Sequence, residues 1–343
     1  METRLTIAIV TFNSLEYTKF FLENIKRNVR VPYELIIIDN NSTDGTKEFL
    51  SELSDATLIL NKRNLGFGQA NNQAFARCRT EYFLGVNNDT VIFPGFIEHI
   101  LSFADGHPRY GELGVHSNCI GAKDPATKKD IGKELKKLEK QGTTPFEAFN
   151  YYFPDQKSFY DLFKNSNSSV QNIRVPPNFI GGWCFLVRRK SIKQIGGLFD
   201  RRFKVGFWED VDLSWRIARA GLKIGLLRGA YIHHFTHVSF NQSKKNLRKT
   251  DHAISRNNGL KFAEKWSDDI RNVLKREFNK NRSIKQVMAR NFILRVYFIK
   301  AVKETPKFEE KLITEFVSKL NVNFRDFLLK QVTKKAKGVV EGD

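Results

Sequence analysis

Four times within the first ninety residues, a short apolar run gives way to a stretch with helical spacing. The runs fall at 5–10, 34–39, 57–60 and 82–86, and each is rich in the aliphatic, β-branched and aromatic residues that favour strands. Between them, Phe21, Ile25 and Val29 recur at helical intervals, and Phe49, Leu50 and Leu53 do the same before the third run. Alternation of this kind predicts an α/β fold on a doubly wound, mostly parallel sheet with helices on both faces. Strands of such a sheet end on one edge, where open α/β sheets take their ligands. Here the strand ends are polar: Thr11-Phe12-Asn13, Asp39-Asn40-Asn41 and Asn87-Asn88-Asp89. Thr11, Asp39 and Asp89 are therefore expected to meet in space.

Asp89 offers a hard carboxylate oxygen of the kind that holds Mg²⁺ or Mn²⁺ and leaves positions for substrate phosphates. Taken by itself, the triplet is equally a polar turn after a strand. Further along, Glu209-Asp210-Val211-Asp212 opens a helical pattern that Gly221 closes. Acids in a first turn complement the helix dipole, so these carboxylates have a structural explanation beside a chemical one. The step Gly66-Phe67-Gly68 does not make a dinucleotide fingerprint, because the third glycine position holds Asn71 and the motif does not follow the first strand.

With 343 residues, the chain suffices for one large domain and an appendage, or for two domains. The boundary is expected near 240, with 118–178 as an inserted, partly helical and partly mobile region on the acceptor side. The net charge of +20 is uneven: residues 241–343 hold 25 basic and 12 acidic side chains, a net of +13. That tail is expected to form basic helices, at 284–302 and 308–335, that dock on an anionic membrane surface. The other reading is that they pack on the core or form a homo-oligomer interface, with their charges solvated. Cys78, Cys119 and Cys184 are scattered, which suits a reduced, cytoplasmic chain. Met1-Glu2-Thr3-Arg4 leads directly into the first strand without a signal-peptide pattern, and no apolar run approaches the ~20 residues of a bilayer span.

Read together, Thr11-Phe12-Asn13, the stretch Asp39-Asn40-Asn41-Ser42-Thr43-Asp44-Gly45-Thr46, Asn64-Leu65-Gly66-Phe67, Asn87-Asn88-Asp89, Gly181-Gly182 and Glu209-Asp210-Val211-Asp212-Leu213 resemble the family 2 glycosyltransferases of GT-A fold. Their rhamnosyl- and galactofuranosyltransferase-like branch is the nearest in pattern, and the resemblance covers 4–240. It implies inverting transfer of a sugar from a UDP- or dTDP-sugar to an acceptor hydroxyl, in bacterial surface glycan synthesis. The acceptor would be a glycan, a lipid-linked molecule or a protein, and the enzyme would work in the cytoplasm or peripherally on the inner face of the membrane.

The resemblance also implies a site. Thr11, Phe12, Asn13, Asp39, Asn41, Asn64, Gly66, Phe67, Asn87 and Asn88 would bind the nucleotide-sugar, Asp39 taking a base N–H. Asp89, with His234 as the one ligand among His233, His234 and His237, would hold Mn²⁺ or Mg²⁺. The family's acid-x-acid triplet here begins with Asn87, so Asp89 carries its charge alone. Asp210 would be the catalytic base, with Glu209 second and Asp212 supporting the helix start. Gly182, Trp183 and Trp208 would lie on the acceptor side, the two indoles stacking on sugar. Two other classes stay in view. A non-catalytic nucleotide-sugar-binding protein would explain Asn87, and a nucleic-acid-binding protein would explain the pI of about 9.8. Acids at successive strand ends oppose the second, because they repel a phosphate backbone.

Overall fold

The computed structural model describes residues 2–175 and 178–235, together with scattered positions between 254 and 273. The four expected strands are present as β1 (Leu5–Thr11), β2 (Tyr33–Asp39), β3 (Thr57–Leu60) and β4 (Tyr82–Val86), all parallel, in the order β3-β2-β1-β4. Helices α1 (Leu15–Asn28), α2 (Thr46–Ser51) and α3 (Phe67–Arg77) make the crossovers. Phe21 and Ile25 of α1 bury completely among Ile7, Ile9, Ile37 and Leu84 of the sheet. Each such side chain removed from water contributes roughly 1.5–3 kcal/mol.

Beyond β4 the chain continues through β5 (Thr90–Ile92), α4 (Phe96–Gly106) and β6 (Tyr110–Ser117). Strand β8 (Cys184–Arg188) then inserts antiparallel between β4 and β6, and short helix α8 (Arg189–Gln194) follows it. Gly85 makes this insertion fit, since a Cβ there would stand 2.4 Å from the Phe185 ring. After α9 (Glu209–Arg219), β9 (Lys223–His234) runs parallel to β6 and antiparallel to β5. The result is a mixed α/β sheet ordered β3-β2-β1-β4-β8-β6-β9-β5. The sequence suggests two separate last strands, at 223–227 and 231–232. They are one strand, because the intervening residues are absorbed as a register shift opposite Val115 and His116.

The stretch expected as a partly mobile insertion carries three further helices, α5 (Ile131–Lys140), α6 (Pro145–Tyr152) and α7 (Gln156–Ser166), and strand β7 (Val170–Asn172) on β9. Asp130 and Asp155 cap α5 and α7, and Thr144 with Glu147 forms a capping box on α6. Phe149, Phe153, Tyr160 and Phe163 bury into the main core beside Phe93 and Tyr231. This aromatic packing is what holds the segment as ordered helices.

The chain divides into two compact units, 1–173 with 180–248, and 174–179 with 249–343. In the second, Phe262, Trp266 and Ile270 are buried, and the N–H groups of Trp266 and Ile270 each bond to the carbonyl four residues earlier. One helical face is therefore apolar there. The helices expected at 284–302 and 308–335, and the surface docking expected of them, lie outside the described residues.

Candidate active site

The parallel register sets Thr11 directly beside Asp39, so the ends of β1 and β2 share the polar edge. Asp39 is fully buried, and its Oδ2 accepts the N–H groups of Asn41 (3.1 Å) and Ser42 (3.0 Å). Its Oδ1 is buried with no hydrogen-bond partner among the described residues. An orphaned carboxylate oxygen is a costly arrangement that a ligand N–H would relieve. The surrounding loops interlock: Asn13 Oδ1 accepts the Thr43 N–H (2.7 Å), and Ser42 Oγ accepts the Asn13 N–H (3.0 Å). Asn13 and Asn41 both adopt left-handed backbone, at φ 49° and 74°, which asparagine tolerates well. Phe12, beside Asn13 in the chain, is half-buried.

Several residues expected to line the nucleotide pocket have other work. Thr11 turns its hydroxyl inward, next to Ser14 (3.1 Å) and Thr18 (3.0 Å), and the Asn88 amide donates to all three oxygens. The buried hydroxyls need a donor, and Asn88 supplies it, tying the β4–β5 turn to α1. Neither side chain faces the open edge. Asn64 Oδ1 accepts from Asn40 Nδ2 (2.9 Å) and the Gly66 N–H (2.8 Å), which fixes the turn into α3. Gly66, at φ 81°, bridges Val205, and the Phe67 N–H donates to the Val205 carbonyl (2.8 Å). The Phe67 ring lies against Phe199, 5.8 Å between centroids, and against Gly182, where a Cβ would stand 3.1 Å from its edge. Asn64, Gly66 and Phe67 thus form a joint between α3 and the loop before α9.

At the other end of the edge, β5 pairs with the last residues of β9, Thr90 opposite His234. Asp89 Oδ1 and His234 Nε2 lie 3.1 Å apart. The Trp183 ring stacks on the imidazole at 5.7 Å and 18°, and the Trp183 carbonyl accepts the Asn87 N–H (2.9 Å). Asn118 matches its side-chain amide to the backbone of His234, donating to its carbonyl (2.9 Å) and accepting its N–H (2.8 Å). Burial works against a charged His234 ring, but the charge and hydrogen bond of Asp89, with help from Cys119, prevail and raise its pKa to about 10. The adjacent His233 sits among Phe149, Phe153 and Phe235, where burial, then the charge of His234, lowers it to about 3. It is a neutral core ring. His237 lies outside the described residues.

A carboxylate oxygen and an imidazole nitrogen at this spacing are donors that suit Mn²⁺ or Mg²⁺ when phosphate oxygens and water complete the shell. Among the described residues no group of three or more His, Cys, Asp and Glu side chains is gathered to hold a metal.

The acids of α9 are held at a strained approach, since Val205, Phe207 and Trp208 all have positive φ (71–76°). Trp208 is only 4% exposed, so it packs inside and does not offer a face to an acceptor; the half-buried Trp183 remains available. Asp210 Oδ2 accepts the Gly182 N–H (3.1 Å), and its Oδ1 accepts the Val211 N–H (2.8 Å). Burial raises the pKa of Asp210 against these bonds, and raises Glu209 with further help from the charge of Asp210. Glu209 Oε2 is buried without a hydrogen-bond partner among the described residues. Asp212 is fully buried and accepts from Arg216 Nε (2.7 Å), which also reaches the carbonyls of Gly197 and Leu198. It supports the helix start.

Sequence reasoning missed one acid. Glu112, on β6, is buried, and Ser214 Oγ of α9 donates to its Oε2 at 2.6 Å. Burial raises its pKa from 4.5 to about 8, opposed by the Ser214 bond, with Asp210 raising it further and Arg216 lowering it. The folded protein thus holds a proton that the unfolded chain releases near 4.5, and this contribution to stability is lost as pH rises from there to about 8. Removing the carboxyl as E112Q should therefore raise thermal stability relative to the parent, by an increment that grows between pH 5 and 8. Parallel melting curves across that range would mean that Glu112 ionises normally.

Residues 6–196 match the model of the glycosyl transferase family 2, and the chain belongs to that family, with the GT-A fold. Among curated relatives, it is 26% identical over 251 residues to an N-acetylglucosaminyl-diphospho-decaprenol L-rhamnosyltransferase of Mycobacterium tuberculosis, covering 69% of this chain and 78% of that one. It is 22% identical to the O-antigen chain rhamnosyltransferase WbaN of Salmonella anatum, over 67% of this chain and 65% of the relative. Among solved structures, Staphylococcus aureus TarS 1–349 in complex with UDP-GlcNAc superposes with a TM-score of 0.57 at 13% identity, covering 94% of this chain and 83% of TarS. The mannosyltransferase PcManGT of Pyrobaculum calidifontis, in complex with GDP-Man and Mn²⁺, gives 0.50 at 15% identity, covering 99% and 87%.

Proposed function

We propose that the protein is a metal-dependent, inverting glycosyltransferase that moves a sugar from a UDP- or dTDP-sugar to a hydroxyl of a lipid-linked glycan acceptor in surface glycan synthesis. The observation that carries this reading is the Gly182-Trp183 step. Gly182 holds the Asp210 carboxylate by its N–H, and the next residue, Trp183, stacks on His234 and takes the Asn87 N–H. One short turn thus couples a carboxylate base to the pair suited to a diphosphate-binding metal. In-line displacement needs both, on opposite sides of the sugar. The activities of these relatives, rhamnosyl transfer onto an N-acetylglucosaminyl-diphospho-decaprenol and in an O-antigen chain, support the acceptor class.

Asp39 Oδ1 accepts the ring N–H of a uracil or thymine. Asp89 and His234, the latter giving up its ring proton to coordinate, would hold the Mn²⁺ or Mg²⁺, and the ion would supply Lewis acidity for the charge on the departing diphosphate. The acceptor oxygen forms its bond to the anomeric carbon as the bond to the diphosphate oxygen breaks. Its proton passes to Asp210, whose carboxylate burial makes a stronger base than a solvated aspartate. A single displacement of this kind inverts the anomeric centre. The basic stretch 241–343 docks the enzyme on anionic lipid at the cytoplasmic face. No helix among the described residues is long and apolar enough to cross a bilayer.

The test is calorimetry of UDP and dTDP with Mn²⁺ and with EDTA. The parent should bind one of them more tightly with Mn²⁺, by about tenfold or more, and Asp89→Ala should lose that difference. Equal affinity with metal and with chelator, in the parent and the variant alike, removes the metal from the reading. Donor binding without any transfer would leave a binding protein.

A further inference from the structure

We propose that Glu112 is a positioning residue for the base, acting through Ser214 to fix the turn that grips Asp210. The chain of contacts is short. Ser214 Oγ donates to Glu112 Oε2 (2.6 Å) and accepts the N–H of Ile180 (3.0 Å). Ile180 begins the turn whose third residue, Gly182, donates its N–H to Asp210 Oδ2 (3.1 Å). Ser214 and Asp210 lie one helical turn apart on α9, so the same hydroxyl anchors the helix that carries the base and the turn that holds it.

Strand β6 is shaped as the seat for this turn. It lies between β8 and β9 in the sheet, with Glu112 opposite Val187 and Ile224. Two residues along, on the same face, Gly114 leaves room for Ile180, since a Cβ there would stand 2.7 Å from the Ile180 side chain. An acid at such a place has no packing rationale: a buried carboxyl is unfavourable unless its bonds do something an apolar side chain cannot. The charged groups acting on it, Asp210 and Arg216, are both on α9, and Arg216 is engaged by Asp212 and the carbonyls of Gly197 and Leu198. Glu112 therefore stands as a neutral carboxylic acid near neutrality, and glutamine should replace it.

The catalytic side of this inference rests on Asp210 being the base, so the experiment has two arms on the full chain. The first is hydrogen exchange of the Ile180 and Gly182 amides in the parent, E112A, E112Q and S214A. E112A and S214A should exchange both amides about tenfold faster or more, while E112Q stays close to the parent. The second is turnover of whichever UDP- or dTDP-sugar the parent uses. E112A and S214A should lower kcat by about tenfold with the donor KM little changed, and E112Q should restore it. Parental exchange and kcat in a folded E112A overturn the proposal, as does an E112Q as impaired as E112A. Should E112A fail to fold, S214A carries the same comparison. A parent that transfers nothing defeats the glycosyltransferase reading, and the exchange arm still decides whether Glu112 holds the turn.

Discussion

Asp210→Asn should leave the protein folded and able to bind a nucleotide diphosphate, while turnover falls by roughly 10²-fold or more, the scale of a lost general base. Asparagine keeps one oxygen for the Gly182 N–H and gives up the bond from the Val211 N–H, so the grip of the 180–183 turn on the helix start survives. What disappears is the proton acceptor. The neighbouring Glu209 puts a second buried carboxyl beside the base, its Oε2 without a hydrogen-bond partner among the described residues. Steady-state kinetics on D210N, with donor affinity measured separately, checks the assignment. Near-normal turnover of the folded variant would transfer the role to Glu209.

The second large effect is on stability. Gly66→Ala would place a Cβ 2.3 Å from Val205 Cα and 2.4 Å from its carbonyl oxygen, at a residue whose φ of 81° already disfavours a side chain. These are backbone atoms, so no rotamer change relieves the clash. The Gly66–Val205 bridge and the Phe67 N–H bond to Val205 should both break, at about 3 kcal/mol or more. Gly142→Ala is the control. Its φ is 101° with open space around it, so it meets only the backbone strain, about 1 kcal/mol. Denaturant unfolding of the two variants should separate them clearly. Equal losses would mean that the joint between α3 and the loop before α9 opens freely.

The parallel half of the sheet and its polar edge were legible because both follow from local pattern: apolar runs of strand length, each ending in amides and acids. The direction in which a polar side chain turns is not in that pattern. Thr11 and Asn88 are of the right type at the right edge, yet α1 supplies Ser14 and Thr18 to bury them. Trp208 caps the start of α9 in left-handed backbone and is buried there, which its neighbours in sequence do not announce. A strand at 184–188 is legible in its apolar run, but its antiparallel place between β4 and β6 is not, because three helices separate it from the strands it joins. Those helices were announced by their caps, Asp130, Thr144 with Glu147, and Asp155, more than by periodicity. Glu112 had a signal too: it is a lone acid within an apolar strand, a place where an acid needs a reason.

The ladder between β5 and β9 works as a ruler for the Asp89–His234 pair. Thr90 opposes His234, and the Phe235 N–H closes the ladder on the Asp89 carbonyl (2.9 Å). Neighbouring residues of a strand face opposite ways, so a slip of one position would bring His233 to Asp89 and push His234 into the ring of phenylalanines. The cage that keeps His233 neutral would then receive the ring that Asp89 now pairs with. Each histidine is thereby a lock on the other's place, and an insertion or deletion in β9 beyond its register shift would be penalised twice. The paired histidines read as redundancy in the sequence; in the sheet they make the register error-intolerant.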